Sequence, residues 1–174
     1  MIRLFHWALV ASFGVSWLSG EEYYNLHLQA GYAVLGLICV RVLWGFTGSK
    51  HARFSDFTHS PASVIAYLRA LPGSKRKRYI GHNPAGGAMV LLMLAGLFVV
   101  TLSGIALDAA ENWSGPLAGM SLFHYTSLIE SIHSMSTDLL LGAVLIHLLG
   151  VGVSSLMHRE NLVKSMLSGK KRHE

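Results

Sequence analysis

The sequence predicts an all-α integral membrane protein, a four-transmembrane-helix bundle with both termini cytoplasmic. Three observations predict it. The 174 residues are 52% hydrophobic and only 13% charged, with mean hydropathy +0.44. A soluble domain carries about 25% charged residues. Four apolar runs approach the roughly 20 residues needed to cross a bilayer, at about Leu4–Gly20, Leu26–Phe46, Gly86–Leu107 and Ile132–Met157. Basic residues, finally, cluster in alternate connections.

The first run lies near the lower length limit of about 17 residues. With Arg3 in front and Trp17-Leu18-Ser19-Gly20 behind, it has the outline of a signal peptide. His6-Trp7 is out of place in such a segment, so it is read as a retained span. The second run leads into a loop over residues 47–85, where Ser60-Pro61 marks a helix start. Val64, Ile65, Leu68 and Leu71 then recur at helical spacing, so a short surface helix is expected before Pro72-Gly73. Residues 116–130 are expected to form a similar surface piece after the third run. The whole chain, 1–174, reads as one domain.

Charge sets the orientation. Lys and Arg outside the spans fall at Arg3, then Lys50, Arg53, Arg69 and Lys75–Arg78, then Arg159, Lys164 and Lys170–Arg172. The other two connections carry only Glu21, Glu22, Asp108, Glu111 and Glu130. Lys/Arg bias marks the cytoplasmic side, which places the 47–85 loop and both termini inside a bacterial inner membrane, with multiple passes. The pI near 9.6 suits contact with anionic lipid. Nucleic acid is not an expected partner, because the Lys75–Arg78 cluster lies just ahead of a span. The single cysteine, Cys39, excludes a disulfide framework and a thiolate iron–sulfur site. There is no HExxH, no CxxCH for covalent haem attachment, and no GxGxxG after a strand.

Ten histidines remain, and four of them fall in the spans. His133 and His147 are fourteen residues apart, which advances a helix by about 21 Å and turns it four times less roughly 40°. They share one face near opposite membrane surfaces. Imidazole is a common axial ligand of haem iron, and an ionisable group inside a membrane is a functional candidate by default. Depth matching pairs His6 with His147 near the inner face and His27 with His133 near the outer face. Two haems stacked across the membrane would use all four as iron ligands. Against this stands the plain alternative that each imidazole hydrogen-bonds a neighbouring helix.

Arg41 follows His27 by fourteen residues and reaches the inner depth. A haem propionate would satisfy its guanidinium, and Arg3, one turn before His6, is a second candidate. Snorkelling of Arg41 to the interface is the competing explanation. Gly14, Gly20, Gly31, Gly36, Gly142 and Gly150 lie in the same spans, where small residues admit a porphyrin edge or bare helix packing. His51, His59, His124, His158 and His173 are read as solvated or interfacial, and His82 stays open.

Arg3-Leu4-Phe5-His6-Trp7, the segment from His27 to Gly45, His82 to Gly87 and the stretch His133–His147 together resemble the bacterial cytochrome b-561 family. Within it the sequence is most similar to the b-type cytochrome subunit of nickel–iron hydrogenases, over nearly the whole chain. The resemblance implies two non-covalent b haems on the same histidine pairs, and electron transfer between a quinone (ubiquinone or menaquinone) and a redox partner protein. That partner would be a hydrogenase or another dehydrogenase subunit. The segment Gly81-His82-Asn83-Pro84 is similar to one near a quinone site in the cytochrome subunit of membrane formate dehydrogenase. His82 and Asn83 are thereby quinone-site candidates. Asn83 is equally a helix N-cap with Pro84 at the first helical position.

Each iron would take two imidazoles, so no position is left for substrate chemistry, and no residue is singled out as catalytic. The chain reads as an oxidoreductase component. Two alternatives stay open: a free-standing oxidoreductase of superoxide or cytochrome c with quinone, and a His-lined ion or metal transporter without haem.

Overall fold

A computed structural model describes residues 2–20, 22–49, 52–70, 83–158 and 161–168. The Lys75–Arg78 cluster, His51, His82 and His173 lie outside these residues. The described chain is helical without a strand, in the order α1 (Ile2–Ser19), α2 (Tyr24–Thr47), α3 (Phe54–Phe57), α4 (Pro61–Ala70), α5 (Pro84–Asn112), α6 (Thr126–His158) and α7 (Leu162–Ser168). A short 3-10 turn, Phe123–Tyr125, leads into α6.

Three of these helices, α2, α5 and α6, are long and apolar enough to cross a membrane. Helix α1 packs on α2, α2 on α5, and α5 on α6. Their shared core is small, with Val34, Ile38, Leu94, Leu97 and Leu140 at its centre. Outward-facing Leu102, Leu139, Leu145 and Leu149 remain largely exposed. A helix apolar all round suits a surrounding of lipid, where backbone groups must be satisfied within the helix.

Local chemistry accounts for the helix ends. The Asn83 carboxamide oxygen accepts the Gly86 N–H at 2.7 Å, with Pro84 at the first position of α5. Ser60 Oγ accepts the Ser63 N–H at 3.2 Å and starts α4 where the sequence predicts it. At the far end of α5, Trp113 takes the left-handed conformation, φ 52°, that usually falls to glycine.

Two helices run further than their apolar windows. Helix α5 continues to Asn112, so Asp108 and Glu111 belong to it and not to the connection. Helix α6 begins at Thr126, so only the first part of the 116–130 segment is a separate surface piece. Apolar length reports the thickness of the lipid core, whereas a helix continues until its backbone meets a cap or a turn. Helix α3 was not expected at all. Its sequence signal is the pair Phe54 and Phe57, one turn apart.

Candidate functional site

At the end of the bundle where α2 begins, His27 and His133 face each other with ring centres 6.1 Å apart and planes at 78°. Each is held from behind by the helix next to its own. His27 Nδ1 lies 2.8 Å from the Ser16 carbonyl of α1, with Ser16 Oγ at 3.4 Å. His133 Nδ1 lies 3.0 Å from the Val100 carbonyl of α5, with Ser103 Oγ at 3.2 Å. A carbonyl only accepts, so each Nδ1 carries the proton and each Nε2 keeps its lone pair. Glycines make room for this arrangement. A Cβ at Gly104 would sit 3.0 Å from His133 Cε1, and one at Gly20 would sit 3.4 Å from His27 Nδ1.

The two imidazoles line a cavity of about 470 Å³ together with Phe13, Trp17, Leu28 and Ile105. Three carboxylates, Asp108, Glu111 and Asp138, also line it. Asp108 is 4% exposed. Its Oδ1 accepts from the Tyr24 hydroxyl, Asn112 Nδ2 donates to the Tyr24 oxygen at 3.1 Å, and Asp108 Oδ2 has no partner among the described residues. This cluster ties the start of α2 to the end of α5. Sequence reasoning missed it, because Asp108 looks like one more acidic loop residue until α5 is known to continue past it.

At the opposite end stand His6, near the start of α1, and His147, fourteen residues beyond His133 on α6. Among the described residues, His6 Nδ1 is buried without a hydrogen-bond partner. Arg3 donates to the Leu167 carbonyl at 3.0 Å and Trp7 Nε1 to the Met166 carbonyl at 3.2 Å, which lays α7 against the start of α1. Arg41 stacks on Phe54 and Phe57, with its guanidinium carbon 5.2 and 5.6 Å from the ring centres. One of its terminal nitrogens is buried with no hydrogen bond among the described residues. Gly45 and Gly87 let α3 wedge in here, because a Cβ at either would overlap the Phe54 ring or the Phe57 carbonyl.

Of the remaining candidates, Asn83 caps α5 through its side-chain oxygen. Gly14, Gly36, Gly142 and Gly150 have no neighbour within 4 Å of where a Cβ would stand, so no helix packs tightly on them. Among the described residues, no three His, Cys, Asp or Glu side chains converge as a metal cluster would need.

The family model described as prokaryotic cytochrome b561 matches residues 1–169. The chain belongs to that family. Among its relatives is a probable Ni/Fe-hydrogenase B-type cytochrome subunit of Rhizobium leguminosarum bv. viciae, 24% identical over 165 residues, 84% of this chain and 67% of the relative. The protein of that name from Azotobacter vinelandii is 28% identical over 159 residues, 82% and 65% of the two chains. That from Rhodobacter capsulatus is 25% identical over 160 residues, 82% and 60%. This chain thus spans about two thirds of the length of these relatives. No solved structure matches.

A prokaryotic cytochrome b561 is membrane-integral, and its family is one of haem b proteins of electron transport. The residues of this cytochrome fit that group. His27 and His133 stand with ring centres 6.1 Å apart on one cavity, so both imidazoles would reach a group held between them. Their Nδ1 protons are committed to carbonyls, as is usual for ligating imidazoles. At the other end, His6 Nδ1 and one Arg41 nitrogen are buried with no hydrogen-bond partner among the described residues.

Proposed function

We propose that this cytochrome carries electrons across the membrane through two b haems, one on His27 and His133 and one on His6 and His147. The observation that carries this reading is the facing pair His27 and His133, both with Nε2 as the free nitrogen. Helix α1 is read as a fourth span, with both termini inside, from the distribution of Lys and Arg. His27 and His133 then lie at the outer face of a bacterial inner membrane, and His6 and His147 at the inner face.

Haem supplies reversible one-electron storage; the protein does the rest. The four imidazoles would hold the irons, His27 with His133 and His6 with His147, leaving the haems to conduct electrons. Phe13, Leu28 and Ile105 supply the apolar part of the cavity lining. Arg41, one of whose buried nitrogens has no hydrogen-bond partner among the described residues, is the proposed partner of a propionate; Arg3 keeps other donors beside its contact to Leu167. At the inner face, Asn83 caps α5 through its oxygen and retains two amide donors for a quinone carbonyl. His82, outside the described residues, is the proposed second contact. Ubiquinone or menaquinone would gain two electrons and two protons there. Relatives of this chain are named as hydrogenase subunits, which supports a hydrogenase or other dehydrogenase subunit as redox partner.

The transporter reading requires three or four protein ligands per zinc ion, a set the described residues do not offer. Oxidation of superoxide at the outer haem is disfavoured by the three carboxylates in the cavity that an anion would approach. The deciding experiment is a pyridine haemochrome assay on the purified protein. Two haems per chain are expected; one or none overturns the proposal.

A further inference from the structure

We propose that the outward face of α6 around Asp138 docks a transmembrane helix of another protein, one that presents a Lys or Arg at the same depth. This rests on α6 crossing the membrane, independently of what the histidines bind. Within the four apolar runs Asp138 is the one carboxylate and Arg41 the one cation. Asp138 lies six residues past Ile132, about 9 Å into its run. Its side chain is too short to reach the interface as a snorkelling Lys or Arg does. A carboxylate at that depth is costly and marks a function, with a partner for its charge.

Helical geometry puts that partner outside the chain. Asp138 comes five residues after His133 and is turned about 140° from it around α6, to the rim of the cavity. Leu145, Leu149 and Leu156 follow it by seven, eleven and eighteen residues, which brings each within about 20° of Asp138. They are 62%, 69% and 82% exposed, and Asp138 is exposed with them. The buried residues of α6, Leu140 and Ala143, lie on the far side, about 160° and 140° away. One turn past Asp138, no described atom stands within 4 Å of where a Gly142 Cβ would be. A second backbone has room to come close there.

Charge decides the occupant. A second copy of this chain, alongside in the same orientation, would bring its own Asp138 and no cation at that depth. Arg41 lies about 21 Å deeper than His27, Asp138 only about 8 Å deeper than His133, and those two histidines face each other. About 13 Å of depth therefore separates Arg41 from Asp138 in either copy. A span of another protein with one Lys or Arg at the depth of Asp138 resolves both charges. Alone, each ion is stranded in lipid; together they make a charge-assisted hydrogen bond. Leu145 and Leu149, below Asp138 on the same stripe, give that helix apolar surface to pack on.

The test places the full chain in phosphatidylcholine vesicles with a synthetic poly-leucine transmembrane helix as probe, and reads association by Förster transfer. One probe carries a single Lys at the depth of Asp138; its control carries Leu there. The Lys probe should bind at least about tenfold more tightly than the control. Asp138→Leu should abolish that preference and leave haem content unchanged. Gly142→Leu, which keeps the carboxylate, should weaken binding of the Lys probe by filling the gap beside it. Because Asp138 faces away from the core, Asp138→Leu should unfold at no lower temperature than the unaltered protein. A lower unfolding temperature would overturn the outward placement. Equal binding of the two probes, or a preference that survives Asp138→Leu, overturns the inference. Self-association of the chain that Asp138→Leu dissolves also overturns it, since two carboxyl groups would then be each other's partner.

Discussion

His27 and His133 come from helices α2 and α6, more than a hundred residues apart in sequence, yet their rings face each other at 6.1 Å. Each is oriented by a third and fourth helix, through the Ser16 and Val100 carbonyls. All four long helices thus converge on one pair of side chains. The candidate site is thus also a joint of the bundle.

Loss of either partner should therefore have the same consequence. His27→Ala and His133→Ala are expected to lose one haem, the same one, while His6→Ala and His147→Ala lose the other. A b-type haem is held by its axial bonds, propionate contacts and packing, so removal of one imidazole forfeits an axial bond. Optical spectra and haem content of the four variants check this. The pairing is wrong if His6→Ala and His133→Ala lose the same haem.

Gly104 offers a test that leaves every ligand in place. A methyl group there would stand 3.0 Å from His133 Cε1 and 3.3 Å from Nδ1, so the ring must move off the Val100 carbonyl. Gly104→Ala should perturb the spectrum of the His27/His133 haem alone. Gly119→Ala, where a methyl meets nothing within 4 Å, is the control, and equal effects from the two would refute the contact.

Tyr24→Phe should destabilise the protein by about 1–3 kcal/mol, because it removes a donor from a buried carboxylate. Thermal unfolding in detergent measures it. Unchanged stability would mean that water replaces the hydroxyl at Asp108.

Gly87→Ala should cost about 1–3 kcal/mol by overpacking, since the methyl meets the Phe57 carbonyl and α3 has to shift. With α3 displaced, Arg41 loses its aromatic cover, so the haem at the His6/His147 end should change with it. A lowered melting temperature accompanied by an altered spectrum at the His27/His133 end only would contradict this placement of α3.

Topology is open to direct measurement. In a Cys39→Ser background, a cysteine introduced at Ser74, beside Lys75–Arg78, should be labelled from the cytoplasmic side only. Labelling from the periplasm would invert the whole assignment of inner and outer sites.

Much of the architecture is local and therefore legible in the chain. Apolar length marks α2, α5 and α6, Ser60-Pro61 and Asn83-Pro84 mark two helix starts, and a period of 3.6 puts His133 and His147 on one face. The membrane makes this reading easier, because a spanning backbone has to be satisfied within its own helix. Relations between helices lie beyond such reasoning. Which carbonyl stands behind His27, whether Asp108 is buried, and that Phe54 and Phe57 fold back beneath Arg41 all depend on contacts between segments far apart in sequence. Hydropathy contains no term for these contacts, so only the docked helices decide which polar atoms are paired and which are left facing a cavity.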